Sequence, residues 1–221
     1  MKTIYLIAIT IFIFIIYSQY IYVNTMPFSS SYEIVQVNNP DKQTFEKIIN
    51  EKQPSIFTNI LEGIEFAKYN LKEKEGKKEM ELDLNKHFKY YLHPLTLTYN
   101  FELSQDKQDS NTPIFKQAHY RYVLGQLHGI KKILLFSPNQ EKYLYPDPQK
   151  KQTQSKLDFW HISSRDEYPL INKSKYIEII IKPNQMIYIP HKWWYTIHNI
   201  TDSVSVSCQS ETLFSYFLKK K

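Results

Sequence analysis

Residues able to carry out chemistry are few in this sequence, and none stands in a pattern typical of a common enzyme class. Cys208 is the single cysteine, which excludes an intramolecular disulfide framework and a cysteine-rich zinc site. The four glycines form neither GxGxxG nor a GxxxxGKS/T loop, and no GxSxG elbow is present. The sequence therefore argues against P-loop and Rossmann nucleotide enzymes and against serine hydrolases. The histidines and lysines of the second half remain as candidates.

The basic charge of the chain comes almost wholly from lysine. The formal net charge is +6, and Arg121 and Arg165 are the only arginines among 28 basic residues. Specific nucleic-acid readers usually rely on arginine forks, whereas lysines here alternate with glutamates in stretches such as residues 72–78. We expect a solvated lysine-rich surface and no nucleic-acid partner.

The candidate histidines and lysines lie among short runs that predict β-strands. The runs are rich in β-branched and aromatic residues and are bounded by turn residues. They occupy residues 130–136, 176–181, 186–189, 195–200 and 203–208. Five short strands at this spacing favour a β-sandwich or barrel.

The first half supplies elements that precede this barrel. Residues 41–52 predict an amphipathic helix that buries Phe45, Ile48 and Ile49, and a short strand follows at residues 53–60. The charged stretch at residues 71–81 predicts a surface loop or helix. We therefore expect a mainly β fold with N-terminal helices.

An uncharged run at residues 4–23 predicts a transmembrane helix. About 20 residues in a helix span about 30 Å, the thickness of the bilayer core. A cleaved signal peptide is the alternative, although the small-residue cleavage pattern is poor. Lys2 precedes the run and Lys42 is the first basic residue after it. The positive-inside rule then predicts a single-pass membrane protein, with a cytosolic N-terminus and the domain on the lumenal or exoplasmic side.

Three motifs, in order, resemble those of a known enzyme family. They are GIKKILLFSP at residues 129–138, YLYP at 143–146 and PNQMIYIPHKWW at 183–194. Over residues 116–210 the sequence resembles the JmjC-related, cupin-like hydroxylases, and most of all the asparaginyl hydroxylases among them. The resemblance implies a double-stranded β-helix with Fe(II) on a His-x-Asp…His triad, and 2-oxoglutarate and O₂ as co-substrates. Two imidazoles and a carboxylate hold one face of such an iron and leave the other open.

The resemblance also implies that the metal triad is lost. Counting back from the first motif without a gap places His-x-Asp at Lys116 and Ala118, and a one-residue shift places it at Phe115 and Gln117. The distal histidine is replaced by Tyr195. Neither alignment supplies a family metal ligand.

Two positions of the 2-oxoglutarate site remain under the same resemblance. Lys131 stands where the family lysine holds the co-substrate carboxylate, and Thr112 matches a second contact. Lys131 has a simpler interpretation as a lysine whose stem crosses the sheet and whose ammonium reaches solvent. If Lys116 and Lys131 shared one pocket, two cations would oppose Fe(II) and favour an anion.

Neighbouring histidines are poor substitutes for the missing ligands. His119 is followed two residues later by an arginine where the carboxylate belongs. His198 lies three residues after Tyr195, so on a strand it faces the opposite side of the sheet. We expect His128 and His191 to be exposed.

These observations predict a transmembrane anchor at residues 1–25 and one cupin-like, JmjC-related domain at residues 26–221. We expect a catalytically inactive structural or interaction module with no bound cofactor, its partners being the membrane and a protein or peptide. The alternatives are an active Fe(II)/2-oxoglutarate protein hydroxylase that uses non-standard ligands, and an anion- or peptide-binding module that uses Lys131.

Overall fold

Ten strands and four α-helices make up the part of the chain that the computed structural model describes, residues 2–25, 32–64, 74–151, 153–213 and 215–216. The helices are α1 (Lys2–Thr25), α2 (Lys42–Asn50), α3 (Lys74–Lys89) and α4 (Ile162–Glu167). The strands are β1 (Val35–Asn38), β2 (Ser55–Thr58), β3 (Thr96–Asp106), β4 (Phe115–Lys116), β5 (Arg121–His128), β6 (Lys131–Phe136), β7 (Ile177–Ile181), β8 (Gln185–Tyr188), β9 (Trp194–Asn199) and β10 (Ser203–Thr212). Short 3₁₀ helices lie at Pro138–Tyr143, Pro148–Lys150 and Pro169–Lys173.

The strands form two sheets that enclose a common core. The larger sheet has the order β1-β2-β8-β5-β10-β3, and the smaller has the order β4-β9-β6-β7. Residues of both sheets meet in one apolar cluster that includes Leu124, Ile133, Ile179 and Ile187. The mainly β architecture with helices at its front is therefore confirmed.

The larger sheet is buried on both faces. Along β5, Tyr122 and Leu124 point into the space between the sheets, whereas Val123 and Leu127 pack on the opposite side against α2 and α3. This alternation follows from the period of two residues along a strand. The predicted strand at residues 53–60 is confirmed as β2.

Helix α2 matches its prediction closely. The side chain of Asp41 caps it by accepting a hydrogen bond from the backbone N–H of Thr44 at 2.8 Å, and the predicted residues Phe45, Ile48 and Ile49 are buried. Such a cap satisfies one of the free N–H groups at the helix start.

Helix α3 departs from the predicted surface element. It continues to Lys89, and its residues Met80, Leu84 and Phe88 are buried against the larger sheet. The predicted start of this segment, at residues 71–73, lies outside the described residues.

The paired tryptophans anchor both sides of the smaller sheet. Trp193 lies in the core between the sheets, whereas Trp194 packs on the outer side with Leu134 and Phe136. Both side chains are 0% exposed. Adjacent residues in an extended chain face opposite ways, so the two neighbouring tryptophans pack into two different apolar clusters.

The predicted transmembrane anchor is wrong. No helix among the described residues is long and apolar enough to cross a membrane. Although α1 extends over Lys2–Thr25, its apolar side chains are concentrated in residues 4–17, which include Thr10 and are followed by Ser18 and Gln19. That stretch is about 21 Å long at 1.5 Å per residue, shorter than the bilayer core of about 30 Å. The predicted single-pass localisation and its orientation are overturned by the same finding, and a membrane partner is not supported.

Candidate functional site

A cavity of about 460 Å³ lies between the two sheets, next to the apolar core. The lining residues come from β3, β4, β5, β6, β9 and β10 and from the segment that leads into β4. They are Glu102, Ser104, Asp106, Thr112, Phe115, Tyr122, Leu124, Lys131, Tyr195, Ile197, Asn199, Ser207 and Gln209. The cavity is therefore mixed, with polar side chains and aromatic rings facing one space.

Lys131 enters this cavity because a glycine turn aims its strand inward. Gly129 has φ 76°, and a Cβ added there would lie 2.2 Å from the carbonyl oxygen of Asp202. Only glycine fits this turn, which leads directly into β6. Lys131 then faces inward at the start of β6, whereas its neighbour Lys132 faces outward and pairs with Glu178 at 2.9 Å.

The ammonium of Lys131 is already paired within the protein. Its Nζ donates to Asp106 Oδ2 at 2.7 Å and to the hydroxyl of Ser205 at 2.7 Å, and its side chain is 3% exposed. Burial lowers the pKa of Lys131, and the hydrogen bond and charge of Asp106 oppose that effect. Ser205 in turn shares a 2.7 Å hydrogen bond with Ser104. The simpler interpretation of Lys131, in which the ammonium reaches solvent, therefore does not hold.

Three aromatic rings occupy the middle of the cavity wall. Phe115 of β4 is paired in register with Tyr195 of β9, and their ring centroids lie 6.4 Å apart. Tyr122 stacks on Tyr195 with centroids 5.6 Å apart and an interplanar angle of 27°. Burial raises the pKa of Tyr195, and it raises that of Tyr122 well above the usual value. Both phenols are therefore protonated at neutral pH.

Lys116 does not join Lys131 in the cavity. Its Nζ lies 2.7 Å from Glu141 Oε2 and 5.4 Å from the centroid of Trp194, on the outer side of the smaller sheet. Ala118 lines an adjoining pocket of about 230 Å³, together with Lys116 and His119, and this pocket shares Phe115, Tyr122, Tyr195 and Gln209 with the cavity. The two lysines therefore do not form one cationic pocket.

Thr112 and Gln117 reach the site region, where the side-chain oxygen of each accepts a hydrogen bond from the protein backbone. The hydroxyl of Thr112 accepts a hydrogen bond from the backbone N–H of Ile197 at 3.0 Å. The Oε1 of buried Gln117 accepts from the backbone N–H of His119 at 3.1 Å. Of the predicted site residues, the cavity brings together Lys131, Thr112 and Tyr195.

The histidines are held apart from one another. His119 Nδ1 lies 3.1 Å from Glu211 Oε1, and His198 stacks on Trp160 with centroids 4.9 Å apart. His128 is exposed, as predicted, but His191 is half-buried. Among the described residues, no three His, Cys, Asp or Glu side chains are grouped so that they could hold a metal ion.

Several cavity residues were missed at the level of sequence. Among them, Asp106 and Tyr122 lie on β3 and β5, neither of which was predicted as a strand. The alternation of Glu102, Ser104 and Asp106 along β3 is the signal that could have found this wall, because residues two apart on a strand share a face.

Comparison with known proteins identifies the domain type. The model of the cupin-like domain family matches residues 97–210. Jumonji C domain-containing protein 5 of Drosophila melanogaster is 31% identical over 86 residues, which are 38% of this chain and 21% of that protein. Lysine-specific demethylase JMJ30 of Arabidopsis thaliana is 31% identical over 97 residues, 43% of this chain and 22% of that protein.

A third relative carries a different kind of name. HSPB1-associated protein 1 homolog of Danio rerio is 25% identical over 105 residues, which are 47% of this chain and 23% of that protein. The matched part of the chain thus corresponds to about a fifth of the length of each of these curated relatives.

Proposed function

Because this chain belongs to the cupin-like domain family, whose JmjC members usually use Fe(II) and 2-oxoglutarate, we propose that it is a catalytically silent member that works as a binding module. The supporting observation is the ion pair between Lys131 and Asp106, which occupies the ammonium that a co-substrate carboxylate would need. The aromatic residues Phe115 and Tyr195 support the same conclusion, because they replace two metal ligands in the proposed alignment.

The donor set at the family's metal positions does not fit iron. Phe115 lies opposite Tyr195 and both face the cavity, so the shifted alignment with Phe115 and Gln117 at His-x-Asp is the better supported one. Phenylalanine offers no donor atom, and glutamine offers a neutral amide in place of a carboxylate. With the alternative alignment, Lys116 and Ala118 supply no better ligand. Fe(II) sites of this kind need two imidazoles and a carboxylate.

Tyr195 is no replacement for the distal histidine. A phenol binds a metal as phenolate, and burial raises the pKa of Tyr195 further above its usual value. Forming the charged phenolate in this cavity would therefore carry a desolvation penalty in addition to the cost of deprotonation.

The co-substrate positions have become structural. A dicarboxylate that approached Lys131 would meet the carboxylate of Asp106, which already lies 2.7 Å from Nζ. Two carboxylates on one ammonium repel each other in a site partly withdrawn from water. The hydroxyl oxygen of Thr112 likewise accepts a hydrogen bond from the backbone of β9. We propose that Lys131 and Thr112 are relics of a 2-oxoglutarate site.

The proposed binding role is supported by the intact fold of the domain. Residues of α2 and α3 share one apolar core with the larger sheet, which supports a single domain over residues 26–221. The name of the HSPB1-associated relatives is compatible with a protein or peptide partner for this chain. The likeness to asparaginyl hydroxylases then describes shared ancestry rather than present activity.

An anaerobic Fe(II) titration of three full-length proteins tests this proposal. Wild type should bind no stoichiometric iron. The triple variant Phe115→His, Gln117→Asp, Tyr195→His should bind one equivalent, whereas the matched triple variant Lys116→His, Ala118→Asp, Tyr195→His should not. Thermal melts confirm that each variant is folded.

The two triple variants test which alignment of the metal positions is correct, whereas wild type tests the proposed function. Stoichiometric iron on wild type would contradict the silent-member proposal. Iron on the second triple variant but not on the first would show that the ungapped alignment is correct.

A further inference from the structure

Three of the four edge strands in the described sheets are poorly suited to pairing with another chain. β1 has four residues and β4 has two, one of which also forms a bridge with Gln154. β7 has five residues, carries Glu178, and has Lys175 and Lys182 near its ends. Short length and charged side chains keep a free sheet edge from pairing with other chains. These three edges are therefore protected.

Strand β3 is the fourth edge and lacks this protection. It has 11 residues, none of which is lysine, arginine or proline. Within the described residues, its one strand partner is β10. This pairing is regular over residues 98–106, and its irregularity lies before Thr98. The other side of β3 therefore presents a long, regular row of backbone N–H and C=O groups, which is a template for a further strand.

The first half of β3 is accessible from both faces of the sheet. Thr98, Tyr99 and Asn100 are all exposed, although successive residues of a strand point to opposite faces. The ring centroids of Tyr99 and Phe101 lie 5.3 Å apart, so aromatic surface borders the free edge. A strand added here can therefore pack its side chains against β3 on both faces.

The sequence of this edge is complementary to itself. In an antiparallel pair of β3 strands with a two-fold axis at Asn100, Tyr99 lies opposite Phe101 of the partner subunit. Thr98 then lies opposite Glu102 of the partner subunit. Asn100 meets its own counterpart, and the two amides can each donate to and accept from the other. Aromatic pairs directly opposite each other stabilise neighbouring strands.

The charges of β3 also permit this register. The strand carries two acidic side chains, Glu102 and Asp106, and Asp106 is paired with Lys131. With the axis at Asn100, the two copies of Glu102 are separated by four residues along the strands, or about 13 Å. Their repulsion is largely screened at that distance. An axis at Glu102 or Ser104 would instead set two carboxylates directly opposite each other.

We propose that β3 pairs with β3 of a second copy of this chain, giving an isologous, antiparallel dimer in which two larger sheets join at Asn100. Glu102 also lines the cavity, so the two cavities lie on either side of the dimer axis. The inference is independent of the silent-member function, because it concerns a sheet edge and not the metal positions. The paired stretch is short, so the dimer should dissociate reversibly on dilution.

Sedimentation velocity of the full-length protein over a range of concentrations tests this inference. Wild type should shift from monomer toward dimer as its concentration rises. Asn100→Lys sets two ammonium groups opposite each other on the axis and should weaken dimerisation by about tenfold or more. Gln105→Lys adds the same charge at an exposed position of β3 outside the paired stretch and should leave dimerisation unchanged. Thermal melts confirm that each variant is folded.

Mixing two charged variants tests the two-fold symmetry. The Asn100→Lys and Asn100→Glu proteins should each be mainly monomeric alone. An equimolar mixture of the two should dimerise, because opposite charges then meet on the axis. This rescue requires that position 100 contacts its own counterpart.

A cysteine on the axis provides a second measurement. Directly opposite Cα atoms of antiparallel strands lie about 4.5–5.5 Å apart, which is within the range that a disulfide spans. Asn100→Cys should therefore form a covalent dimer under mild oxidation, whereas Gln105→Cys should not. The natural Cys208 is buried in the core formed with α2 and α3, so it does not compete.

The outcomes that would overturn the dimer are distinct. Monomer at every concentration would overturn the proposal and leave this edge to a strand of another protein. Equal dimerisation of wild type and Asn100→Lys, with no cross-link in Asn100→Cys, would place the contact on another surface. Loss of the dimer in Gln105→Lys but not in Asn100→Lys would contradict the axis at Asn100. The iron titration is unaffected by any of these results.

Discussion

The two halves of the space between the sheets differ sharply in what fills them. One half is packed with isoleucines around Trp193, which is 0% exposed. The other half is a cavity of about 460 Å³ whose wall carries the Lys131 to Asp106 ion pair and an aromatic cluster. Packing in the first half stabilises the domain, so the second half is free to change its chemistry while the fold persists.

The largest expected effect comes from the packed half. Trp193→Ala removes a fully buried ring and should lower the free energy of unfolding by about 3–5 kcal/mol. Chemical denaturation measures it, and Trp193→Phe provides a milder variant if the first fails to fold. The half-buried Trp160 is the control, since Trp160→Ala should cost clearly less. Equal costs at the two positions would mean that the packed half has no special part in stability.

A pH effect should also arise beside the packed half, at His191. Burial, with the charge of Lys192 as a second cause, lowers the pKa of His191 to about 4. Its Nδ1 lies 3.3 Å from the carbonyl oxygen of His119, and Glu211 and Lys52 act on it as well. The unfolded chain therefore takes up a proton at this histidine at a higher pH than the folded state does. The stability that the neutral histidine contributes is complete above about pH 6.5 and is lost as the pH falls toward 4.

The sign of this effect makes a direct test possible. As the pH falls from about 6.5 to about 4, wild type should lose about 2–3 kcal/mol of unfolding free energy more than a His191→Gln variant does. Urea denaturation at several pH values measures the difference. Parallel curves for the two proteins would show that the folded state protonates His191 as easily as the unfolded chain does.

The cavity half should respond to loss of its internal ion pair. Asp106→Ala leaves the Lys131 ammonium without its carboxylate and should cost about 1–3 kcal/mol. Adding Lys131→Met to that variant should recover most of the loss, because an apolar side chain of similar length replaces the unpaired charge. A double-mutant cycle measures the coupling. Additive effects of the two changes would contradict the pairing.

The smallest effect is expected one residue away, on the outer face of β6. Lys132 pairs with Glu178 at 2.9 Å, but their side chains are 31% and 48% exposed. Lys132→Ala should therefore change the unfolding free energy by no more than about 1 kcal/mol. A larger change than that of Asp106→Ala would reverse the proposed difference between inward and outward lysines.

The sequence predicted the parts of the fold that depend on local patterns. The runs of the second half became β6 to β10, because alternating and β-branched residues report a strand directly. β5 was not predicted, because seven of its eight residues are buried and it contains Gly125 and Gln126. A strand buried on both faces shows no alternation, so its period is hidden.

The site was predictable only as far as the resemblance reached. Lys131 and Tyr195 could be located from the motifs around them. The partner of Lys131 could not, since Asp106 is 25 residues earlier in the chain on a strand that was not predicted. The N-terminal run gave a wrong prediction because it is uncharged over residues 4–23, whereas its apolar side chains are concentrated before Ser18 and Gln19.

The most direct test of the silent-member account is turnover of the co-substrate by the wild-type full-length chain. The protein is incubated with Fe(II), ascorbate, O₂ and 2-oxoglutarate, and succinate is quantified against a boiled control. The account predicts succinate no higher than in the control, because Lys131 is paired with Asp106 and because the proposed alignment places Phe115, Gln117 and Tyr195 at the metal positions. Enzyme-dependent succinate release above that control would contradict it and identify the chain as an active oxygenase.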